Sequence, residues 1–83
     1  MDEIIDSIIA LIRSYNLNPG IANSLITKLQ NAEASISKGN YTAAANQLGA
    51  FLNEVAAKSG KQLTAAQAAD LTARVNGVIA ALP

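Results

Sequence analysis

Asp2 and Asp6 stand four residues apart, a spacing that puts two carboxylates on one helix face where they could share a hard cation. A calcium site draws about six or more oxygens from a turn, and no Asp-x-Asp-x-Asp-Gly loop occurs. The plainer reading is that Asp2, Glu3 and Asp6 meet the positive end of a helix that begins here. Glu33, Glu54 and Asp70 read as single charges on polar helix faces. A glycosidase needs two carboxyls about 5–10 Å apart beside a sugar cleft, and nothing in the pattern brings two of these together in a cleft. His and Cys are both absent, which removes triads, thiol nucleophiles and most transition-metal sites. No phosphate-cradling loop is present either. The chain is therefore expected not to be an enzyme, with no catalytic, cofactor-binding or metal-ligating residue assigned.

Amides are the commonest remaining polar groups. Asn18 and Asn40 stand where helices should be capped, and Asn16 falls in a turn. Asn23, Asn31, Asn46, Asn53 and Asn76 fall inside helical stretches, where Asn is a mediocre choice. Such a face could hydrogen-bond a partner or glycan, or simply be the surface habit of a secreted protein; the second reading has the better claim. Asn40-Tyr41-Thr42 matches a glycosylation sequon, but capping accounts for Asn40 better. Glycan sites usually stack sugar rings on exposed aromatics. Phe51 lies on a core stripe, and Tyr15 and Tyr41 fall at opposite ends of the expected fold, so no aromatic platform forms.

The elements that hold these residues are legible as a repeat. Leu17-Asn18-Pro19 opens one helical stretch and Leu63-Thr64-Ala65 opens another, 46 positions later. Behind each opening Ala22 matches Ala68, Leu25 matches Leu71, Leu29 matches Val75 and Ala32 matches Val78. Ahead of each opening, at an offset of 43, Ile5 matches Leu48, Ile8 matches Phe51, Ile9 matches Leu52 and Ile12 matches Val55. The difference is a longer second turn. Two helical hairpins follow.

Their boundaries are marked locally. The first helix runs from about Asp2 or Glu3 to Tyr15. Asn18 caps the second, Pro19 suits its first position, and Leu17 can staple onto the next turn. Lys38 and Gly39 close it after Ser37, with the glycine at a position that wants positive φ. The third helix runs from Asn40 to near Ser59, with Gly60 beyond it. Thr64 and Gln67 form a capping-box pattern for the fourth, and Pro83 follows that helix. Gly49 and Gly77 lie inside helices, which predicts close helix approach there. Short connections make neighbours antiparallel, so the fold class is all-α, an antiparallel up-down four-helix bundle.

Composition bounds the rest. The 83 residues are 51% hydrophobic and balance six basic against six acidic side chains. Unclustered cations with no net charge exclude a phosphate-binding surface, so no nucleic acid is expected. The strongest apolar stretch, Ile8 to Ile12, is far too short for a membrane span of about 20 residues. No signal peptide appears. The chain opens at once on a helical pattern and stops just after one, as expected of one domain, residues 1–83, cut from a longer multidomain protein.

One helix carries more apolar surface than a single seam needs. Ile4, Ile8, Leu11 and Tyr15 form a second stripe rotated from Ile5, Ile9 and Ile12. A helix contacting two neighbours uses such a face, and that is the plainer explanation. The stripe is still the best candidate for partner contact, through docking or self-association.

The quoted residues also carry a resemblance. Leu17-Asn18-Pro19-Gly20 with Ala22-Asn23-Ser24-Leu25 and Lys28-Leu29 resembles the helical modules called FIMAH domains. So do Lys38-Gly39-Asn40, Asn46-Gln47-Leu48-Gly49-Ala50-Phe51, Leu63-Thr64 with Gln67-Ala68, and the closing Ile79-Ala80-Ala81-Leu82. The likeness covers nearly the whole chain and rests on caps, turns and core positions. It implies a noncatalytic accessory module, for docking or spacing, of a secreted or surface-attached bacterial protein, often a hydrolase. Expected partners are neighbouring domains of a larger chain or a surface protein, outside the cell or on its surface. The alternative is a weak polysaccharide or cell-wall binding module. The exposed positions of the two halves do not repeat: Asn23 faces Ala69 and Ser24 faces Asp70. A binding site is therefore expected where the halves differ, above all on helix one.

Overall fold

The computed structural model describes residues 2–83, and these form four helices: α1 (Asp2–Ser14), α2 (Pro19–Ser37), α3 (Tyr41–Lys58) and α4 (Ala65–Ala81). Each starts where its local chemistry says it should. The Asn18 side chain accepts from the Gly20 amide at 2.9 Å, and Pro19 fills the position whose amide would be unpaired. Asn40 accepts from the Ala43 amide at 3.2 Å, which gives that residue a capping role. Thr64 and Gln67 bond reciprocally, each at 3.0 Å, and complete the capping box of α4.

The link from α2 to α3 is three residues, Lys38, Gly39 and Asn40, and the last two do most of the work. Gly39 takes φ +75° and donates to the Ile36 carbonyl, while Asn40 donates to the Ser35 carbonyl. That pair of bonds is a Schellman closure of α2, and the same Asn40 then opens α3.

Packing runs around a ring: α1 on α2, α2 on α3, α3 on α4, and α4 back on α1, with α2–α3 the most extensive seam. The diagonal pairs do not approach closely, so the architecture is the antiparallel up-down bundle. The matched positions of the repeat fill its centre. Ile5, Ile8 and Ile12 of α1, Leu25 and Leu29 of α2, Leu48, Phe51 and Val55 of α3, and Leu71 and Val75 of α4 are all fully buried. Burying each such side chain stabilises by about 1.5–3 kcal/mol. Among the described residues no polar or charged side chain is buried.

Polar groups instead lace the seam edges. Lys28 of α2 meets Glu54 of α3 at 2.8 Å, and Ser24 donates to the same carboxylate at 2.9 Å. Ser35 donates to the Gln47 side-chain oxygen at 2.8 Å across the same two helices. Glu54 and Asp70 are thus not single charges, because Arg74 holds Asp70 at 2.8 Å along α4.

The interior glycines depart from expectation. A Cβ added to Gly49 or Gly77 would meet no heavy atom within 4 Å beyond its own helix turn. Close helix approach does not explain either, because the small residues that the seams require are alanines such as Ala32, Ala44 and Ala68.

Candidate functional site

The outer stripe expected on α1 does not survive as a continuous surface. Ile8 is fully buried within the core, whereas Leu11 and Tyr15 are half-buried and pack against it. The physical reason is the ring: α1 touches both α2 and α4, and two neighbours absorb a broad apolar face. Only Ile4 stands out, 51% exposed, the one exposed large hydrophobic among the described residues. The Tyr15 hydroxyl has its pKa raised by burial first and then by the charge of Asp70, with Arg74 acting in the opposite sense. Tyr15 therefore belongs to the α1–α4 seam.

Two carboxyls do come together, one on α1 and one on α2, though not in a cleft. Glu33 of α2 hydrogen-bonds the Asp6 side chain of α1. Burial, that hydrogen bond, and the charges of Asp6 and Asp2 push its pKa up to about 7. A glycosidase pair keeps its carboxyls about 5 Å or more apart so that substrate or water fits between them. Here the two carboxyls lie against each other, and none of the four main cavities among the described residues is lined by either Glu33 or Asp6. Among the described residues no cluster of three or more acidic side chains could hold a metal ion. No helix among them is long and apolar enough to cross a membrane.

What the fold does create is a groove on each hairpin. The first lies between the end of α1 and the first half of α2, about 390 Å³, over Ile12, Ala22 and Ile26. The second lies between the end of α3 and the first half of α4, about 660 Å³, over Val55, Ala68 and Thr72. These are the same groove twice. The offsets of 43 and 46 that align the core also superpose Ile12 on Val55, Ala22 on Ala68 and Ile26 on Thr72.

The walls have diverged. Arg13 stands where the second groove has Ala56, Asn16 where it has Ser59, Asn23 where it has Ala69, and Thr27 where it has Ala73. Gln30 and Asn76 keep an amide at the far end of both grooves. The first groove thus carries a cation, three amides and a hydroxyl, whereas the second is walled mainly by alanine methyls and has no charge. Neither groove contains a nucleophile with a base to activate it.

The amides of the first groove are not spent on the fold. Asn18, Asn40, Gln47 and Gln67 each hold a backbone or side-chain partner. Among the described residues the side chains of Asn16, Asn23, Thr27 and Gln30 make no hydrogen bond within the protein. Arg13 makes no ion pair among them, in contrast to Lys28 and Arg74. Asn16 also takes φ +55°, the one non-glycine residue on the positive side among the described residues, which turns the chain at the groove mouth.

The architecture, its caps and its paired hairpins agree with comparison to known families, where the FIMAH domain profile matches residues 1–80. The chain is a FIMAH domain. No curated protein and no solved structure matches it. FIMAH domains are accessory-type modules, and membership points to a noncatalytic role. The grooves of this FIMAH domain were out of reach of periodicity, because they arise from how two helices meet. The signal for them lay in exposed positions that fail to repeat, Asn23 against Ala69 above all.

Proposed function

We propose that this FIMAH domain is a noncatalytic docking or spacer module of a secreted or surface-attached bacterial protein, of the kind appended to hydrolases. It works outside the cell or on its surface by resting against a neighbouring domain, a surface protein or a second copy. The observation that carries the reading is Ile4. It is a large apolar side chain left half in water, whereas the other large aliphatics among the described residues are buried or half-buried. Leu11 on α1 and Tyr15 just beyond it are half-buried against the core and leave Ile4 as the exposed point.

Ile4 gives a cleaner test than Leu11, whose packing on the core means that a charge there destabilises the fold. The chain is titrated with the domain that adjoins it in its parent protein while backbone amide shifts are followed. Docking predicts shifts that centre on Ile4 and vanish in Ile4→Glu, with far-UV helicity and melting unchanged. Shifts that persist in Ile4→Glu would place the contact elsewhere.

A second reading, weak polysaccharide binding, has its own support in the groove between α1 and α2. That groove gathers unspent amides over a partly apolar floor, the mixture that a sugar ring with its hydroxyls meets well.

A further inference from the structure

We propose that the α1–α2 groove binds an acidic saccharide, a uronate-bearing glycan strand, with Arg13 on the carboxylate and Asn16, Asn23, Thr27 and Gln30 on ring hydroxyls. The proposal rests on the polysaccharide reading and names its ligand class. The α3–α4 groove acts as an internal control. Folding a helical hairpin of this design produces the groove in both halves, so the concavity by itself means nothing. Its decoration in one half is not required by the fold, since the other half forms with Ala56, Ala69 and Ala73 at the same positions.

The decoration costs the helix something. Alanine is the better helix former at Asn23 and Thr27, and neither side chain repays the difference with a hydrogen bond among the described residues. Each amide offers a donor and an acceptor side by side, the complement of adjacent sugar hydroxyls. Asn23, Thr27 and Gln30 step along α2 at i, i+4 and i+7, so they form one row about 10 Å long, the span of two sugar rings. Arg13 faces that row from α1 with no carboxylate among the lining residues, so the field in the groove favours an anion. A guanidinium binds a carboxylate through paired hydrogen bonds.

A protein segment fits the same groove less well. Protein hot spots need an aromatic or aliphatic anchor sunk in a dry socket. Ile12 and Ile26 are buried within the core and close the floor. Leu17 and Ala22, half-buried at its edge, offer a shallow apolar strip for the C–H face of a ring. Without an aromatic to stack on, the affinity is weak, about 1 mM.

The test follows amide shifts of the 83-residue chain with tri-galacturonate, its methyl ester, neutral maltotriose and tri-glutamate as probes, each at about 20 mM. Tri-galacturonate is expected to move Arg13, Asn16, Asn23, Thr27 and Gln30 and to leave Ala56, Ala69 and Ala73 still. Arg13→Gln and esterification of the ligand should each weaken binding about tenfold. Asn23→Ala should weaken it about threefold, and both variants should melt as the parent does because both side chains are exposed. Equal binding of tri-glutamate would overturn the saccharide assignment in favour of charge alone. Maltotriose binding that ignores Arg13→Gln would overturn the acidic ligand yet spare the polysaccharide reading. No shift with any saccharide would overturn both.

Discussion

The α1–α2 and α3–α4 hairpins were cut to one pattern and then finished differently. Their cores correspond position by position, from Ile5 and Leu48 to Leu29 and Val75, and all these residues are buried except Leu52 and Ala22, which are half-buried against the core. Their turns and groove walls do not correspond. In the first hairpin Asn16 supplies the positive φ and Leu17 stays half-buried; in the second Gly60 supplies it and Leu63 is sealed into the core. The Gly60 amide also donates to the Leu63 carbonyl, and the Leu63 amide to Lys58. The second hairpin is thus tied shut at its turn and walled in alanine, whereas the first is looser and more polar. A duplicated fold can keep one copy for stability while the other carries exposed chemistry.

The largest expected effect tests that division of labour. Ile8 and Phe51 occupy equivalent core positions, both fully buried. Phe51→Ala should cost about 4 kcal/mol and Ile8→Ala about 3 kcal/mol, measured by urea unfolding. The second hairpin should suffer more because Phe51 is the largest buried side chain and lies on α3, which shares the most extensive seam with α2. A larger loss at Ile8 would reverse the comparison and make α1 the element on which stability depends.

The turns come next. Gly60 sits at φ +75° with open space where a Cβ would go, so Gly60→Ala meets only the backbone penalty. Thermal unfolding should register a loss of about 1–2 kcal/mol. Asn16, at φ +55°, already tolerates that region, so Asn16→Gly should change stability by only a few tenths of a kcal/mol, about the scatter of the measurement. Similar losses for Gly60→Ala and Asn16→Gly would mean that the Asn16 side chain supports the turn as well as the groove.

A smaller effect, of opposite sign, concerns the interior glycines. Gly49 of α3 and Gly77 of α4 both belong to the second hairpin, and neither is pressed by a neighbouring helix. Gly49→Ala and Gly77→Ala should each stabilise by about 0.5–1 kcal/mol and should add when combined. Destabilisation at either site would restore the close-approach explanation that the sequence suggests.

How far the fold was legible depends on the reach of each signal. Caps are local: Asn18, Asn40 and the Thr64–Gln67 box could be read within four residues and stand as expected. The core is periodic, and the repeat of offsets 43 and 46 marks it without reference to space. The α1 stripe was legible only as a width, because periodicity gives the angular width of an apolar face but not the number of neighbours that cover it. Ile4 and Ile8 lie on one face of α1, yet one is exposed and the other buried. The interior glycines misled for a related reason, since a helix pattern says nothing about interhelical distance. The Asp6–Glu33 contact was invisible because it depends on how α1 is rotated against α2.

That contact gives the smallest prediction, confined to the first hairpin. Glu33 is ordinarily a carboxyl of pKa 4.5, raised here to about 7. The folded chain therefore holds this proton more tightly than the unfolded chain. Its contribution is fully present below about pH 4.5 and is lost as pH rises through about 7. Melting temperature should fall across that window, by a modest amount because Glu33 is only partly buried. Glu33→Gln keeps a donor for Asp6 without the charge, so it should flatten the fall and raise the melting temperature at neutral pH. The ion pairs of the other seams do not offer this slope. Lys28–Glu54 and Asp70–Arg74 join opposite charges, whereas Glu33 faces Asp6 and Asp2. A wild-type melting temperature flat from pH 4.5 to 7 would mean that the two carboxyls separate in solution, leaving α1 still more loosely held than its counterpart α3.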